Sequence, residues 1–257
     1  MNKYLPFMLL YLLVCPNFAF GQMCDEVGMR QAYQSVNLVE TTACFVYKKT
    51  PAEKEGQLSR DPDGLAIYSY SKSGGKNFIY EFPYAGTKGR INDAFVLFVS
   101  SVSKEMLFVI HSIEAPKAWD VLSDVYDVSV FVFEGGDLVR DEAYSGFFDM
   151  GGDMNNAEGL LSYVYPYKNK GSIENVVRSA LFEVAGVSPF VGGVVTEKSF
   201  LYGGDFEPLI QEPSRMYLIK GDEVKVEASM AGWCKVSHIT KIKPNTMWVQ
   251  CKSIAFL

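Results

Sequence analysis

The chain has 257 residues, of which 48% are apolar and 14% aromatic, and its formal charge at pH 7 is −6. This composition provides enough apolar side chains for a buried core and is not that of a disordered chain. The negative charge disfavours nucleic acid as a partner. The length accommodates one or two domains.

The first 21 residues have the pattern of a secretory signal peptide. Lys3 precedes an apolar stretch at residues 5–14, and Ala19-Phe20-Gly21 supplies small residues for cleavage. We therefore predict export to the periplasm and cleavage after about Gly21, which changes the formal charge to −7 because Lys3 is the only charged residue removed. An uncleaved anchor is the weaker alternative, since a membrane-spanning helix needs roughly 20 apolar residues. No later stretch approaches that length, so we expect no transmembrane segment in the mature chain.

Four cysteines remain after residue 21, in two close pairs at opposite ends of the chain. Four cysteines allow three connectivities. The local pairing, Cys24 with Cys44 and Cys234 with Cys251, is preferred because it needs no long-range assumption. A zinc site or a thiol nucleophile is the alternative, but no C-x-x-C spacing is present.

Short runs rich in aromatic and β-branched residues, separated by turn residues, predict antiparallel strands from about residue 42 to 144. The predicted strands are 43–48, 65–70, 77–82, 94–100, 106–112, 125–133 and 138–144. Gly135-Gly136 between the last two runs predicts a tight hairpin.

Two helices are predicted. Apolar residues at positions 173, 176, 177, 180, 181 and 184 form one stripe, so residues 172–184 should be an amphipathic helix docked on the sheet, capped by Ser172 and ended by Gly186. A second, weaker helix is predicted at residues 25–35. Residues 22–205 thus form a β-rich main domain, followed by a linker near Pro213.

The C-terminal segment carries three motifs in succession. Lys220-Gly221-Asp222 with Val224 is followed by Gly232-Trp233 with Val236, and then by Trp248-Val249. This succession resembles the bacterial SH3-like (SH3b) domain over about residues 214–257. The resemblance implies a small C-terminal β-barrel that binds a ligand or contacts a protein, with no catalytic residues. The segment after the last motif, residues 253–257, is short, so the last barrel strand is expected to be either truncated or supplied by the neighbouring domain.

If Cys234 faces Cys251 across a hairpin, the other face of that hairpin carries Trp233, Lys235, Trp248 and Gln250, with Lys252 beyond them. These residues are our candidate ligand-binding site, an aromatic shelf for a peptide or a glycan. Packing of both tryptophans in the core or at its rim is the alternative, because Trp is usually largely buried.

No catalytic group stands out in the sequence. His111 lies within an apolar strand and is expected to be a hydrogen-bonded core residue, and His238 lies beside a predicted turn. Four acidic residues could provide a glycosidase carboxylate pair, although a run of acidic residues in a loop is usually solvated surface: Glu114, Asp120, Asp124 and Asp127.

A glycine-rich loop contains a weak calcium candidate. Asp153, Asn155 and Glu158, with Asp149 nearby, are oxygen ligands of the type that calcium prefers. The spacing does not match a complete calcium loop, so a hydrogen-bonded turn is the default. We expect no metal and no other cofactor.

The sequence therefore predicts an α+β, mostly antiparallel β fold: a β-rich main domain with one docked helix and a small C-terminal SH3-like barrel. The predicted function is that of a non-catalytic periplasmic protein that recognises another protein, such as an inhibitor or immunity protein against an envelope-acting toxin. A peptidoglycan-binding accessory protein is the alternative, and an envelope glycoside hydrolase is a third hypothesis.

Overall fold

The computed structural model describes residues 24, 28–50, 61–71, 74–115, 124–156, 158–203, 213–239 and 244–257. The predicted signal peptide and Asp120 lie outside these residues. The strands of the first half are β1 (Gln31–Asn37), β2 (Thr41–Lys48), β3 (Gly64–Ser71), β4 (Lys76–Glu81), β5 (Gly89–Val99), β6 (Lys104–Ile113), β7 (Val125–Glu134) and β8 (Asp137–Arg140).

The second half contains helices and shorter strands. In order, they are helix α1 (Glu142–Phe148), β9 (Met154–Asn155), β10 (Leu161–Tyr163), helix α2 (Lys170–Val177), a 3-10 segment (Ala180–Ala185), β11 (Val191–Val195), β12 (Ser199–Phe200), β13 (Tyr217–Leu218), β14 (Glu223–Met230), β15 (Trp233–Ile239), β16 (Pro244–Gln250), a second 3-10 segment (Cys251–Ser253) and β17 (Ile254–Phe256).

Three antiparallel sheets account for most of the strands. The first sheet has the order β1-β2-β3-β4, the second sheet β5-β6-β7-β8, and the C-terminal sheet β16-β15-β14-β11-β17. Two short pairs, β9 with β10 and β12 with β13, complete the pairing of the described strands. The predicted α+β, mostly antiparallel β class is confirmed.

The second sheet lies at the centre, with a core on each face. Towards the first sheet, Leu107 and Phe131 pack with Phe45 and Ile67 in one apolar cluster. Side chains of the opposite parity, such as Phe108, point the other way into a larger cluster shared with the helices and the C-terminal sheet. Because successive side chains of a strand point to opposite faces and both faces are covered, β6 is buried without interruption from Met106 to Ile113 and β7 from Asp127 to Val132.

The predicted hairpin at residues 131–139 is confirmed. Phe133 pairs with Leu138 and Glu134 with Asp137. Gly135 and Gly136 both have positive φ, 62° and 91°, which is the backbone of a tight primed turn and explains why two glycines stand there.

The strand predicted at 138–144 ends earlier, at Arg140, and helix α1 follows. The Asp141 carboxylate accepts hydrogen bonds from the backbone N–H groups of Ala143 (3.0 Å) and Tyr144 (3.1 Å). These bonds form a helix N-cap. The prediction missed it because the strand-like residues at 138–144 were assigned to one strand. The cap places Phe147 and Phe148 of α1 in the core.

The helix predicted at 172–184 is two separate segments, α2 and the 3-10 segment Ala180–Ala185. Asn169, and not Ser172, caps α2 by accepting from the Ser172 N–H at 3.0 Å. The Ser179 hydroxyl and N–H both donate to the Val176 carbonyl. In a continuous helix that carbonyl would accept from the N–H four residues later, so these bonds interrupt the helix. The second segment ends at Gly186 as predicted. The docking prediction is confirmed, because Ile173 and Leu181 are buried.

The helix predicted at 25–35 is wrong over the residues described. Residues 31–35 belong to β1, which pairs with β2 through partners such as Gln31 with Val46. Pairing with an adjacent strand outweighs the weak local helical pattern. Both predicted disulfides are present: Cys24 bonds Cys44, and Cys234 bonds Cys251.

The C-terminal sheet begins upstream of the predicted linker. Strand β11 lies between β14 and β17, with Val191 opposite Val226 and Val194 opposite Ala255. A strand from the predicted main domain is thus built into the middle of the sheet that contains the SH3-like motifs. The same apolar cluster joins this sheet to the second sheet.

Candidate functional site

The two candidate tryptophans lie in the core. Trp233 is 2% exposed and Trp248 5% exposed. Tyr163 stacks on Trp233 with ring centroids 5.7 Å apart, and Tyr202 contacts it edge-on at 4.7 Å. Neither indole N–H has a hydrogen-bond partner among the described residues. The indoles are therefore packing residues, as the alternative holds, and they form no open aromatic shelf.

The four candidate residues do share one face of the β15–β16 hairpin. Trp233 pairs with Gln250, and Lys235 pairs with Trp248. The predicted register was wrong by two residues, because Cys234 lies opposite Val249 and not opposite Cys251. β16 ends at Gln250, so Cys251 reaches Cys234 from the 3-10 segment beyond the strand. A shift of two residues keeps every side chain on its predicted face.

Gln250 also lines a cleft that we call the hairpin cleft, between the β12–β13 hairpin and the end of β16. Its volume is about 200 Å³. The lining residues are Glu197, Lys198, Ser199, Phe200, Tyr202, Val249, Gln250, Lys252 and Ser253. Gln250 is held in place because its amide donates to the Ser162 carbonyl at 3.1 Å. Lys235 and Gln250 are partly exposed, unlike Trp233 and Trp248.

An exposed aromatic pair stands at the hairpin cleft, and one of its members, Phe200, lines the cleft. Phe200 and Tyr217 are direct partners in the β12–β13 hairpin and are 47% and 49% exposed. Their ring centroids are 6.1 Å apart. The Lys198 Nζ lies over both rings, 4.3 Å from the Tyr217 centroid and 5.3 Å from that of Phe200. Met216 and Ile219, which flank β13 in the chain, are also exposed. Adjacent exposed apolar side chains of this size commonly mark an interaction site.

Most of the remaining lining of the cleft is polar, with Tyr202 and Val249 as the exceptions. Glu197, Lys198 and Lys252 supply charges of both signs, and the Ser253 hydroxyl donates to Glu197 Oε1 at 3.4 Å. Aromatic faces beside charges and hydrogen-bonding groups suit a peptide-like or glycan-like ligand more than a wholly apolar one. The hairpin was missed from the sequence, although Phe200 and Tyr217 each stand next to a second large apolar residue, Leu201 and Met216.

The calcium candidates do not converge. Asp153 forms an ion pair with Lys168 and accepts from the Tyr165 N–H at 3.1 Å. The Glu158 N–H donates to the Asn156 side chain in a turn. Among the described residues, no group of three His, Cys, Asp or Glu side chains is placed to hold a metal ion. Asn155 lies in β9 opposite Leu161, so the default of a hydrogen-bonded turn holds at Glu158 alone among the three candidates.

The catalytic candidates are separated or buried. His111 is buried against Phe82, and burial lowers its pKa to about 4. Neither imidazole nitrogen has a hydrogen-bond partner in the described part of the chain, which corrects the expected hydrogen bond. Asp127 lies opposite His111 on β7, and burial raises its pKa to about 6. Both residues lie inside the sandwich. Asp124 pairs with Arg90 at the surface. The side chain of His238 lies outside the described part.

Two disulfides indicate a chain that folds in an oxidising, exported location. In the part of the chain that the structure describes, no helix combines the length and apolar character that a membrane span requires. No protein-family model, no curated protein and no solved structure matches the chain.

Proposed function

We propose that this chain is a non-catalytic periplasmic binding protein that recognises another protein through the hairpin cleft. The observation that carries the proposal is the exposed Phe200–Tyr217 pair beneath Lys198, next to a polar cleft. Aromatic side chains that are exposed but held in a β-hairpin lose little conformational entropy when they bind. Such residues are typical anchors of protein interfaces.

The SH3-like resemblance is part of this proposal, with the module extended to residues 191–257. Five antiparallel strands and a short two-stranded hairpin support it. The Lys220-Gly221-Asp222 motif forms the turn before β14, where the Asp222 carboxylate accepts from the Ile219 N–H at 2.9 Å. SH3 domains bind extended segments in aromatic-lined grooves, and we propose a similar mode for this module. The small volume of the hairpin cleft agrees with a segment that crosses it one or two side chains at a time.

The lining of the cleft has two lysines and one glutamate, whereas the chain as a whole is acidic. That overall acidity suits a basic partner whose contact extends beyond the cleft, because complementary charge speeds association and disfavours wrong partners. We therefore keep an inhibitor or immunity protein, acting on a toxin of the cell envelope, as the specific form of the proposal. A stable complex of this type typically buries about 1,600 Å² in total, more than the cleft alone provides. The surrounding residues Met216 and Ile219 would enlarge the contact.

The test is recovery of a complex from envelope extract with the tagged protein, followed by titration of the isolated partner. The variant combines Phe200→Ala with Tyr217→Ala. Loss of two central anchors should weaken binding at least tenfold. The matched control is Phe190→Ala, since Phe190 is an exposed aromatic under Lys225 elsewhere on the C-terminal sheet. Equal affinity of the double variant and the control, or turnover of a substrate by the protein, would overturn the proposal.

Binding to peptidoglycan is the second candidate, and the polar lining of the cleft with Lys198 and Lys252 favours it. Peptidoglycan binding would not use the indoles of Trp233 and Trp248, because both are buried. Sedimentation with purified sacculi separates the two candidates. Binding to sacculi that is lost in the Phe200 and Tyr217 variant, without a protein complex, would favour the cell wall.

A further inference from the structure

The second sheet extends past the first at one end of the sandwich. Val96, Leu107 and Phe131 lie in one row across β5, β6 and β7, and Leu107 and Phe131 are buried. On the same face of the sheet, Phe98 lies two residues beyond Val96 on β5, and Phe133 lies two residues beyond Phe131 on β7. Phe98 is 59% exposed, and Phe133 is also exposed. The apolar face that is covered elsewhere in the sandwich is therefore open at this end.

The first sheet supplies the facing wall. Leu38, Val39 and Glu40 form the connection between β1 and β2, and the Val39 side chain is exposed opposite the extension. Between this wall and the second sheet lies a groove of about 340 Å³, floored by Leu107, Phe131 and their neighbours. We call it the mouth groove. Its size is at the low end of the roughly 300–1,000 Å³ typical of ligand pockets, enough for one or two side chains.

Acidic side chains dominate the edge of the mouth groove. Glu40 and Glu105 line it, and neither has an ion-pair partner in the described parts of the chain. Lys104, the basic residue of the lining, is engaged by Glu134 at 3.4 Å. An occupant therefore meets an apolar floor with net negative charge around it.

We propose that the mouth groove binds an extended segment of a partner protein in which an apolar anchor side chain is flanked by Lys or Arg. The anchor would cover Phe98 and Phe133, and the basic residues would pair with Glu40 and Glu105. This surface is separate from the hairpin cleft, because it lies between the first and second sheets and the C-terminal sheet packs on the opposite face of the second sheet. Its test does not depend on the function proposed for the cleft.

The test uses the ¹⁵N-labelled protein and two synthetic peptides, Lys-Lys-Trp-Leu-Lys and Glu-Glu-Trp-Leu-Glu. We expect the basic peptide to shift the backbone amide signals of Val39, Phe98 and Phe133 saturably, and to bind at least tenfold more tightly than the acidic peptide. The double variant Glu40→Lys with Glu105→Lys should reverse this preference. The control Glu227→Lys makes the same type of charge change at an exposed position of the C-terminal sheet and should preserve the preference.

Four results would overturn the proposal. They are equal binding of the two peptides, equal loss of binding in the control variant, shifts centred on the hairpin cleft, and shifts that depend on protein concentration without peptide. The last result would assign the groove to contact between two copies of the chain. Because reversal of the peptide charge needs no mutation, the test remains decisive if a variant fails to fold.

Discussion

Replacement of Asp127 by Asn should change how stability depends on pH. Asp127 is buried in the sandwich, and burial raises the pKa of its carboxyl from 3.8 to about 6. The Ser129 hydroxyl donates to the carboxylate at 3.0 Å and opposes this rise without cancelling it. The Asn side chain keeps an oxygen that can accept from Ser129 but cannot ionise.

The sign and size follow from proton linkage. Because the native state holds the Asp127 proton more tightly than the unfolded chain, ionisation costs stability as the pH rises from about 4 to about 6. A rise of about two pKa units corresponds to about 3 kcal/mol. The free energy of unfolding of Asp127→Asn, minus that of the natural chain, should therefore increase by up to about 3 kcal/mol between pH 4 and pH 7.

Urea denaturation at pH 4, 5, 6 and 7, followed by tryptophan fluorescence, measures this difference. All other titrating groups cancel in the subtraction, provided that they are unaffected by the substitution. Glu227→Gln is the control, because it removes an exposed carboxylate, and its difference should stay constant with pH. If the difference for Asp127→Asn is also constant with pH, the conclusion that burial raises the pKa of the Asp127 carboxyl is refuted.

Three further outcomes are expected. For His111→Leu, the free energy of unfolding of the variant minus that of the natural chain should increase as the pH falls, the opposite of Asp127→Asn in the same assay. Burial lowers the His111 pKa from 6.5 to about 4, so protonation of His111 costs the natural chain stability in that range, and the variant lacks this cost. Parallel curves for the variant and the natural chain would contradict this. Gly193→Ala should destabilise by about 1–3 kcal/mol in thermal unfolding, because an added Cβ would overlap Ile254 Cγ2, whereas Gly146→Ala, with open space in helix α1, should be neutral or slightly stabilising. Loss of the disulfide in Cys234→Ala with Cys251→Ala should cost about 3 kcal/mol, and an unchanged melting temperature would argue against a structural role.

The sequence predicted the features that depend on neighbours along the chain. Aromatic and β-branched runs located β2 to β7, and Gly135-Gly136 located the tight hairpin between β7 and β8, because strand and turn propensities act locally. The two disulfides also followed from local spacing. The shared face of Trp233 and Trp248 was predicted correctly despite a wrong register, since the error was an even number of residues.

Tertiary packing decided the rest. Residues 31–35 became a strand because β2 offers an edge to pair with, and β11 joined the C-terminal sheet across a long connection. Burial of Trp233 depends on Tyr163 and Tyr202, which come from distant parts of the chain. The hairpin cleft and the mouth groove exist only where separate sheet edges meet. Local sequence patterns set which face a side chain takes, and contacts between distant segments determine whether that face is covered.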